Sequence, residues 1–220
     1  MDNQSKLYIM ISRTDTGVGK LIRKVTGFPY NHVSVTLDPT FRNWVSFARY
    51  QKATPLYGGF IREPVERFLA KGEQIDVRIF AVDVSPERYR RLEALFALAG
   101  TQDPGLRYNL FALVTLSFGV DFPITGAYTC LGFANRLLGT RFKTIQKLSD
   151  HLMPRLHYEG SLGDLAPDSG CREDLYFHTP EPLQSITCNI GSLFRLIGFA
   201  LTPGRQDPVS NILESKGASV

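Results

Sequence analysis

Cysteine and histidine are the residue types in this sequence best suited to covalent chemistry. A cysteine thiolate attacks carbonyl carbon, and the thiol needs a neighbouring base to lose its proton at neutral pH. The chain has three cysteines and four histidines, at positions Cys130, Cys171, Cys188, His32, His151, His157 and His178. The number and spacing of the cysteines match neither a disulfide framework nor a zinc site. The sequence therefore predicts a nucleophile and base, with no metal and no cofactor.

Cys130 is the candidate nucleophile because of its place in a predicted helix. Apolar residues fall at helical spacing between 130 and 138, Thr129 is a suitable N-cap, and Gly139 ends the pattern. Cys130 then lies in the first turn, where unpaired N–H groups and the helix dipole favour a thiolate. The same N–H groups can bind an oxyanion. The alternative is a structural cysteine on a buried apolar stripe.

His32 is the candidate base. It opens a stretch that alternates between polar and apolar residues up to Leu37, which predicts a strand with one polar face. The next residues on that face, Ser34 and Thr36, are small, so we expect the end of the cysteine helix to pack over them. His157 is the main competitor, since it also falls on a predicted strand, whereas His151 and His178 lie in surface-like contexts.

The elements that must position these residues indicate an α+β fold. Alternating or β-type runs predict strands near residues 6–12, 31–37, 43–50, 75–84 and 156–160. The second and third of these are joined by a short loop and are expected to pair antiparallel. Helical spacing predicts helices that end at Gly27, begin after Ser85, and begin after Thr129.

Length and composition predict one main domain. The chain has 220 residues, of which 43% are hydrophobic and 21% charged, which is typical of a globular protein. Beyond residue 160 the sequence becomes rich in Gly, Asp, Pro and Ser before a further apolar segment. We therefore predict a domain over residues 1–162 and a C-terminal extension of unknown role over residues 163–220.

Charge and hydropathy bear on partners and location. The net charge of +4 comes from scattered basic residues, so nucleic acid is not predicted as a partner. The first apolar run is too short for a secretory signal, and three cysteines fit a reducing compartment, so the cytoplasm is predicted. Two apolar segments, 109–124 and Ile190 to Leu201, fall short of the ~20 residues of a spanning helix. The second is a candidate surface for peripheral membrane or protein contact.

Two further signals are weak. Residues Thr14 to Lys20 follow a strand and precede a helix, but a phosphate-binding loop requires Gly in place of Thr14 and Ser or Thr in place of Leu21. Carboxylates such as Glu63, Glu66 and Asp150 could pair for acid–base catalysis. Nothing in their sequence context separates them from ordinary surface charge.

Two segments resemble the signature stretches of circularly permuted NlpC-like papain-fold hydrolases. They are Pro29 to Val35, around His32, and Tyr128 to Ala134, around Cys130. In that group the histidine strand precedes the cysteine helix, as it does here. The resemblance also takes in residues 46–49, 58–60 and 158–160, and so covers roughly residues 5 to 162. It implies an antiparallel papain-like sheet packed against helices.

The resemblance also implies a third, polar residue that orients the imidazole. That residue usually lies on the strand after the histidine, which makes Ser46 the nearest candidate, with Tyr30, Asn31 or a backbone carbonyl as alternatives. We further predict Tyr128, Tyr30 and Asn31 as substrate or oxyanion contacts. Leu131 stands where the group has a small polar residue.

The predicted function is that of a cysteine hydrolase. The resemblance and the Cys–His pair imply cleavage of a peptide, a peptidoglycan-like amide, an ester or a thioester through an acyl-enzyme. The expected partner is a peptide, amide or acyl substrate. Two alternatives stay open: an acyltransferase or lipid-directed hydrolase that uses the same residues, and a catalytically silent binding module. Leu131 and the weak third residue favour the silent module.

Overall fold

The computed structural model describes residues 5–69, 74–101, 105–112, 122–166, 175–202 and 204–214. Within these ranges the strands are β1 (Lys6–Ser12), β2 (His32–Thr36), β3 (Asn43–Arg49), β4 (Gly58–Pro64), β5 (Asp76–Asp83), β6 (Arg107–Tyr108), β7 (Ala127–Tyr128) and β8 (Leu156–Ser161). The α-helices are α1 (Gly17–Thr26), α2 (Val65–Leu69), α3 (Pro86–Ala97), α4 (Cys130–Leu138), α5 (Ile145–Leu152), α6 (Leu162–Leu165), α7 (Pro182–Leu201) and α8 (Pro208–Glu214).

Six of the strands form one antiparallel sheet in the order β4-β3-β2-β1-β5-β8. β2 and β3 pair antiparallel as the sequence predicts, and β6 and β7 form a separate parallel pair. The predicted α+β class with an antiparallel sheet is therefore confirmed. The histidine strand comes second in the chain and the cysteine helix follows five strands later.

Alternation along the strands gives the sheet two different faces. Apolar side chains of β2, β3 and β4, among them Val33, Val35, Phe47 and Phe60, belong to the larger core, which α3, α4 and α5 complete. The opposite face carries a second core that α2 and α6 help to cover, and its members include Tyr8, Met10, Trp44, Val77 and Ile79. The site lies where the larger core meets the start of β2.

Side-chain caps explain where the helices begin and end. The Thr129 hydroxyl accepts the backbone N–H of Gly132 at the start of α4, and Gly139 ends that helix with φ 68°, a left-handed conformation that glycine adopts without steric cost. Ser85 caps α3 and Gly27 ends α1 in the same way. These predicted helix boundaries are confirmed, and they fix Cys130 in the first turn of α4.

Part of the C-terminal extension packs onto the predicted domain. Val209 of α8 is fully buried in the larger core. The hydroxyl of Tyr128 donates to Asp207, and Arg136 forms an ion pair with Glu214. Residues 204–214 therefore support β7 and α4 directly.

Helix α7 leaves most of its apolar residues exposed. Leu196 and Phe199 are buried, whereas the exposed set consists of Leu183, Ile186, Ile190, Phe194 and Leu201. This set extends the predicted contact surface, Ile190 to Leu201, towards the start of the helix. Among the helices that the structure describes, none is long and apolar enough to cross a bilayer.

Candidate active site

Cys130 and His32 meet at the start of β2. Each is the first residue of its element, and the imidazole of His32 lies close enough to the thiol of Cys130 for each to shift the pKa of the other. The backbone N–H groups of Val33 and Leu131 also lower the pKa of the thiol. The structure therefore brings together the predicted nucleophile and the predicted base, which lie 98 residues apart in the chain.

The cysteine helix packs on the opposite face of β2 from the one we predicted. Leu131, Ala134 and Leu137 of α4 join Val33 and Val35 in the larger core. The prediction that the helix end covers the polar face of Ser34 and Thr36 is wrong, because the apolar stripe of α4 requires an apolar surface. Cys130 reaches His32 at the beginning of the strand and not over its polar face.

Glu63 is the residue that holds the imidazole. Oε2 of Glu63 lies 2.9 Å from Nε2 of His32, and because a carboxylate only accepts hydrogen bonds, the ring nitrogen donates. This arrangement leaves Nδ1 as the ring nitrogen that faces Cys130. Ser34 donates to the same carboxylate oxygen at 2.8 Å, and Nε of Arg67 lies 3.8 Å from Oε1. Glu63 is only 3% exposed.

Ser46 is not the third residue that we predicted. Its hydroxyl donates to Oε2 of Glu63 and thus acts on the carboxylate instead of on His32. The strand after β3 supplies the longer acidic side chain, which reaches the ring from β4. Sequence reasoning missed Glu63 as the third residue, because it follows a second charged residue, Arg62, on β4 and nothing in the local pattern marks it as buried.

The charges of the three residues support one another. Burial raises the pKa of Cys130, but the hydrogen bond and charge of His32, with the N–H groups of Val33 and Leu131, bring it below its ordinary value. Burial lowers the pKa of His32, whereas the Glu63 carboxylate raises it above its ordinary value. Burial raises the pKa of Glu63, but His32 and Arg67 lower it by more, so the pKa lies below its ordinary value. The site therefore favours thiolate, imidazolium and carboxylate together.

The predicted substrate and oxyanion contacts have mixed outcomes. The hydroxyl of Tyr128 donates to Asp207, so its prediction as an oxyanion contact is wrong. Asn31 lies beside the site, but its amide is used to bind Thr14 and Arg23 and not His32. Tyr30 is buried and lines a depression next to Cys130, where a substrate contact remains a prediction.

Tyr108 is a site residue that the sequence did not indicate. It lies in the two-residue strand β6 and lines the same depression as Cys130 and His32. Burial, and then the negative charge of Cys130, raise the pKa of Tyr108, so its phenol stays protonated and can donate at neutral pH. A two-residue strand has no periodic pattern, which is why this position was missed.

The remaining histidines lie elsewhere. His157 contacts the rings of Tyr8 and Phe41 on the opposite face of the sheet, so it cannot act as the base for Cys130. His151 packs against Phe142, and His178 is exposed. In the part of the chain that the structure describes, no three His, Cys, Asp or Glu side chains cluster closely enough to hold a metal ion.

Two depressions meet at Cys130. The first, here called the basic arm, is lined by Arg49, Lys52, Arg67, Tyr108, Tyr176 and Phe177, among others. The second, here called the apolar arm, is lined chiefly by Ile22, Phe28, Tyr30, Leu131 and Ile145. Cys130, Asn31 and Ile22 line both. A substrate bound across Cys130 would therefore contact two surfaces of different chemistry.

Comparisons of this chain with protein-family models, with curated proteins and with solved structures found no match.

Proposed function

We propose that this chain is a cysteine hydrolase with a papain-like, NlpC-like fold in circularly permuted order. The observation that carries the proposal is the line of side-chain contacts from Cys130 through His32 to Glu63, placed at the first turn of a helix. A nucleophile, a base and an orienting acid in contact are the recurring parts of such sites. The order of histidine strand and cysteine helix supports the permuted fold.

The proposed reaction begins with attack of the Cys130 thiolate on the carbonyl carbon of an amide, ester or thioester. The carbonyl oxygen becomes an oxyanion, for which the backbone N–H of Cys130 at the start of α4 and the Tyr108 hydroxyl are the candidate donors. The imidazolium of His32 gives its proton to the leaving group as the carbon–nitrogen, carbon–oxygen or carbon–sulfur bond of the substrate breaks, leaving an acyl-thioester on Cys130. His32 then takes a proton from water, whose oxygen attacks the acyl carbon; the bond from that carbon to the Cys130 sulfur breaks, which releases a carboxylic acid and restores the thiolate.

Glu63 supplies the charged third residue that the sequence analysis did not identify. A carboxylate both orients the imidazole and stabilises its positive charge, which a serine hydroxyl cannot do. Leu131 is 6% exposed and lines the apolar arm, so it shapes the cleft beside Cys130. Leu131 and the weak third residue, the two sequence features that favour a silent binding module, are therefore weaker arguments against catalysis.

The substrate class stays a proposal at the level of a peptide, a peptidoglycan-like amide, or an acyl ester or thioester. The apolar arm favours substrates with a hydrocarbon part, and with such substrates an acceptor other than water would make the enzyme an acyltransferase. A cytoplasmic location fits the free cysteines Cys130 and Cys188.

Thiol labelling across pH tests the proposal. A model thiol has a pKa of about 8.5, so its alkylation rate falls about tenfold for each pH unit below that value. We expect iodoacetamide to label Cys130 at pH 6 at least about tenfold faster than free N-acetylcysteine, because the pKa of Cys130 is lowered. Peptide mass spectrometry after timed quenching gives the rate for each cysteine, with Cys188 as the comparison within the chain.

A second measurement tests the acyl step itself. Incubation with p-nitrophenyl butyrate should add one butyryl group to Cys130 with a burst of p-nitrophenol, whereas Cys130→Ser and His32→Ala should give neither. Slow labelling at Cys130, equal to that at Cys188, and no butyryl adduct would favour the silent module and contradict the hydrolase.

A further inference from the structure

The basic arm carries positive charge that no carboxylate of the described residues neutralises. Two carboxylates line the arm, Asp15 and Glu63. Asp15 forms ion pairs with Lys20 at 3.1 Å and Arg23 at 3.5 Å, and Glu63 is held by His32 and Arg67. Two further cationic residues of the arm, Arg49 and Lys52, form no ion pair with a carboxylate of the described residues.

The geometry of the arm keeps these charges in place. Arg49 donates to the hydroxyl of Tyr176 and to the carbonyl oxygen of Lys52, both at 3.2 Å. Arg67, whose side chain is 9% exposed, lies with its guanidinium 4.1 Å from the ring centroid of Tyr176. The backbone N–H of Lys52 donates to the carbonyl of Tyr176 at 2.8 Å. The guanidinium groups of Arg49 and Arg67 are thus held around one aromatic side chain, and the backbone of Lys52 is anchored beside it.

Tyr176 and Phe177 belong to the short 3₁₀ segment Leu175–Phe177, beyond the predicted domain boundary at residue 162. The basic arm is therefore completed by the C-terminal extension. A cluster of Arg and Lys beside aromatic rings is the kind of surface that recognises carboxylates and phosphates.

The apolar arm differs in character. Ile22, Phe28, Leu131 and Ile145 line it, and its one charged lining residue, Lys143, is exposed. Such a surface gains free energy by covering hydrocarbon and offers little to an anion.

We propose that the basic arm binds an anionic group of the substrate, a carboxylate or a phosphate, while the apolar arm holds a hydrocarbon part. The scissile carbonyl then lies at Cys130, where the two arms meet. Lys52 and Arg49 are the residues that select for the anion. This inference rests on the proposed function, because it assigns the two sides of the same cleft.

A matched pair of alkylating reagents tests the inference without knowledge of the substrate. Iodoacetate and iodoacetamide differ in one negative charge, and each alkylates a thiolate with loss of iodide. The ratio of their rates at Cys130 reports the attraction of the site for an anion. We expect Lys52→Gln to lower this ratio about threefold and Lys52→Glu about tenfold or more, and the ratio cancels any change in the reactivity of the thiol itself.

Lys147→Gln is the matched control. Lys147 lies on α5, is exposed and lines neither arm, so the same loss of charge there should leave the ratio unchanged. Arg49→Gln should lower the ratio as Lys52→Gln does. Inorganic phosphate and succinate, compared at equal ionic strength, should each slow iodoacetamide labelling of the wild type and not of Lys52→Glu. The more protective anion indicates whether the arm prefers phosphate or carboxylate.

The outcomes separate the two proposals. Rapid labelling of Cys130 with the same reagent ratio in the wild type, Lys52→Glu and Lys147→Gln would overturn the anion subsite and leave the hydrolase standing. Slow labelling of wild-type Cys130 by both reagents would overturn the hydrolase and the subsite that rests on it. A ratio that falls at Lys52 and Arg49 alone supports both.

Discussion

The two faces of strands β2 and β3 differ sharply in what they bury. One face presents Val33, Val35 and Phe47 to the larger core. The other buries Ser34 and Ser46, whose hydroxyls both donate to the carboxylate of Glu63. The apolar face holds the cysteine helix in place, and the polar face holds the imidazole in place. The geometry at Cys130 thus depends both on apolar packing beneath α4 and on polar contacts around Glu63, which meet at the start of β2.

The polar face costs stability. A buried carboxylate loses several kcal/mol of hydration, which hydrogen bonds and an opposite charge can only offset. Here the offset comes from His32, Ser34 and Ser46 on one oxygen, with Arg67 near the other. We infer that this cost is retained because it fixes the orientation and charge of His32.

The largest expected effect is on the apolar face. Phe133 of α4 is 1% exposed and contacts the rings of Phe47 and Phe60 at centroid distances of 5.2 and 5.1 Å. Phe133→Ala should lower the free energy of unfolding by about 3–5 kcal/mol, because it leaves a cavity under the helix. Urea denaturation followed by circular dichroism measures the change. Phe194→Ala, at a residue 68% exposed, should change it by less than about 0.5 kcal/mol.

The next effect is on the polar face and concerns reactivity. Glu63→Gln keeps the shape of the side chain but removes the charge that raises the pKa of His32. The pKa of His32 should fall and that of Cys130 should rise, so the iodoacetamide rate at pH 6 should drop by about ten- to hundredfold. At pH 10 the two proteins should react at similar rates, since both thiols are then ionised.

Glu159→Gln is the control for this substitution. Glu159 is half exposed, pairs with Arg78 at 2.8 Å and lines neither arm of the cleft. It should leave the pH profile of labelling unchanged. An unchanged profile in Glu63→Gln as well would mean that the carboxylate does not act on the imidazole.

The comparison of the faces also explains how much could be predicted from sequence. Helix α4, its Thr129 cap and strand β2 follow local rules of capping and periodicity, and so Cys130 and His32 could be named in advance. Glu63 could not, because its role depends on the register of β3 and β4 and on a side chain that spans two strands. Tyr108 depends on the pairing of two very short strands, which has no local signature.

The sequence also failed to predict the face of β2 on which α4 packs, because that face is decided by contacts between distant residues. The alternation in β2 predicts one polar and one apolar face, and both exist. Small side chains at Ser34 and Thr36 suggested room for a helix, yet the apolar stripe of α4 decided the outcome. Tyr128 was misassigned for a similar reason, since its hydroxyl partner, Asp207, lies in the C-terminal extension, far along the chain.

The smallest expected effect concerns Ser46, which the sequence predicts to orient His32 but whose hydroxyl contacts Glu63. Ser46→Ala removes one of the donors to Oε2 of Glu63 and should lower the free energy of unfolding by about 1–2 kcal/mol. Its effect on Cys130 labelling should be a few-fold loss at pH 6, less than that of Glu63→Gln, because His32 keeps its carboxylate. Ser34→Ala removes a second donor to the same oxygen and should behave alike.

A double-mutant cycle makes the distinction. If Ser46 acts through Glu63, then Ser46→Ala should change the labelling rate little once Glu63→Gln is present, and the two effects will not add. If Ser46 orients His32 directly, as the sequence predicts, its full effect should persist in the Glu63→Gln background. Additive effects would therefore indicate that Ser46 orients His32 directly. Non-additive effects would indicate that Ser46 acts on His32 through the carboxylate of Glu63.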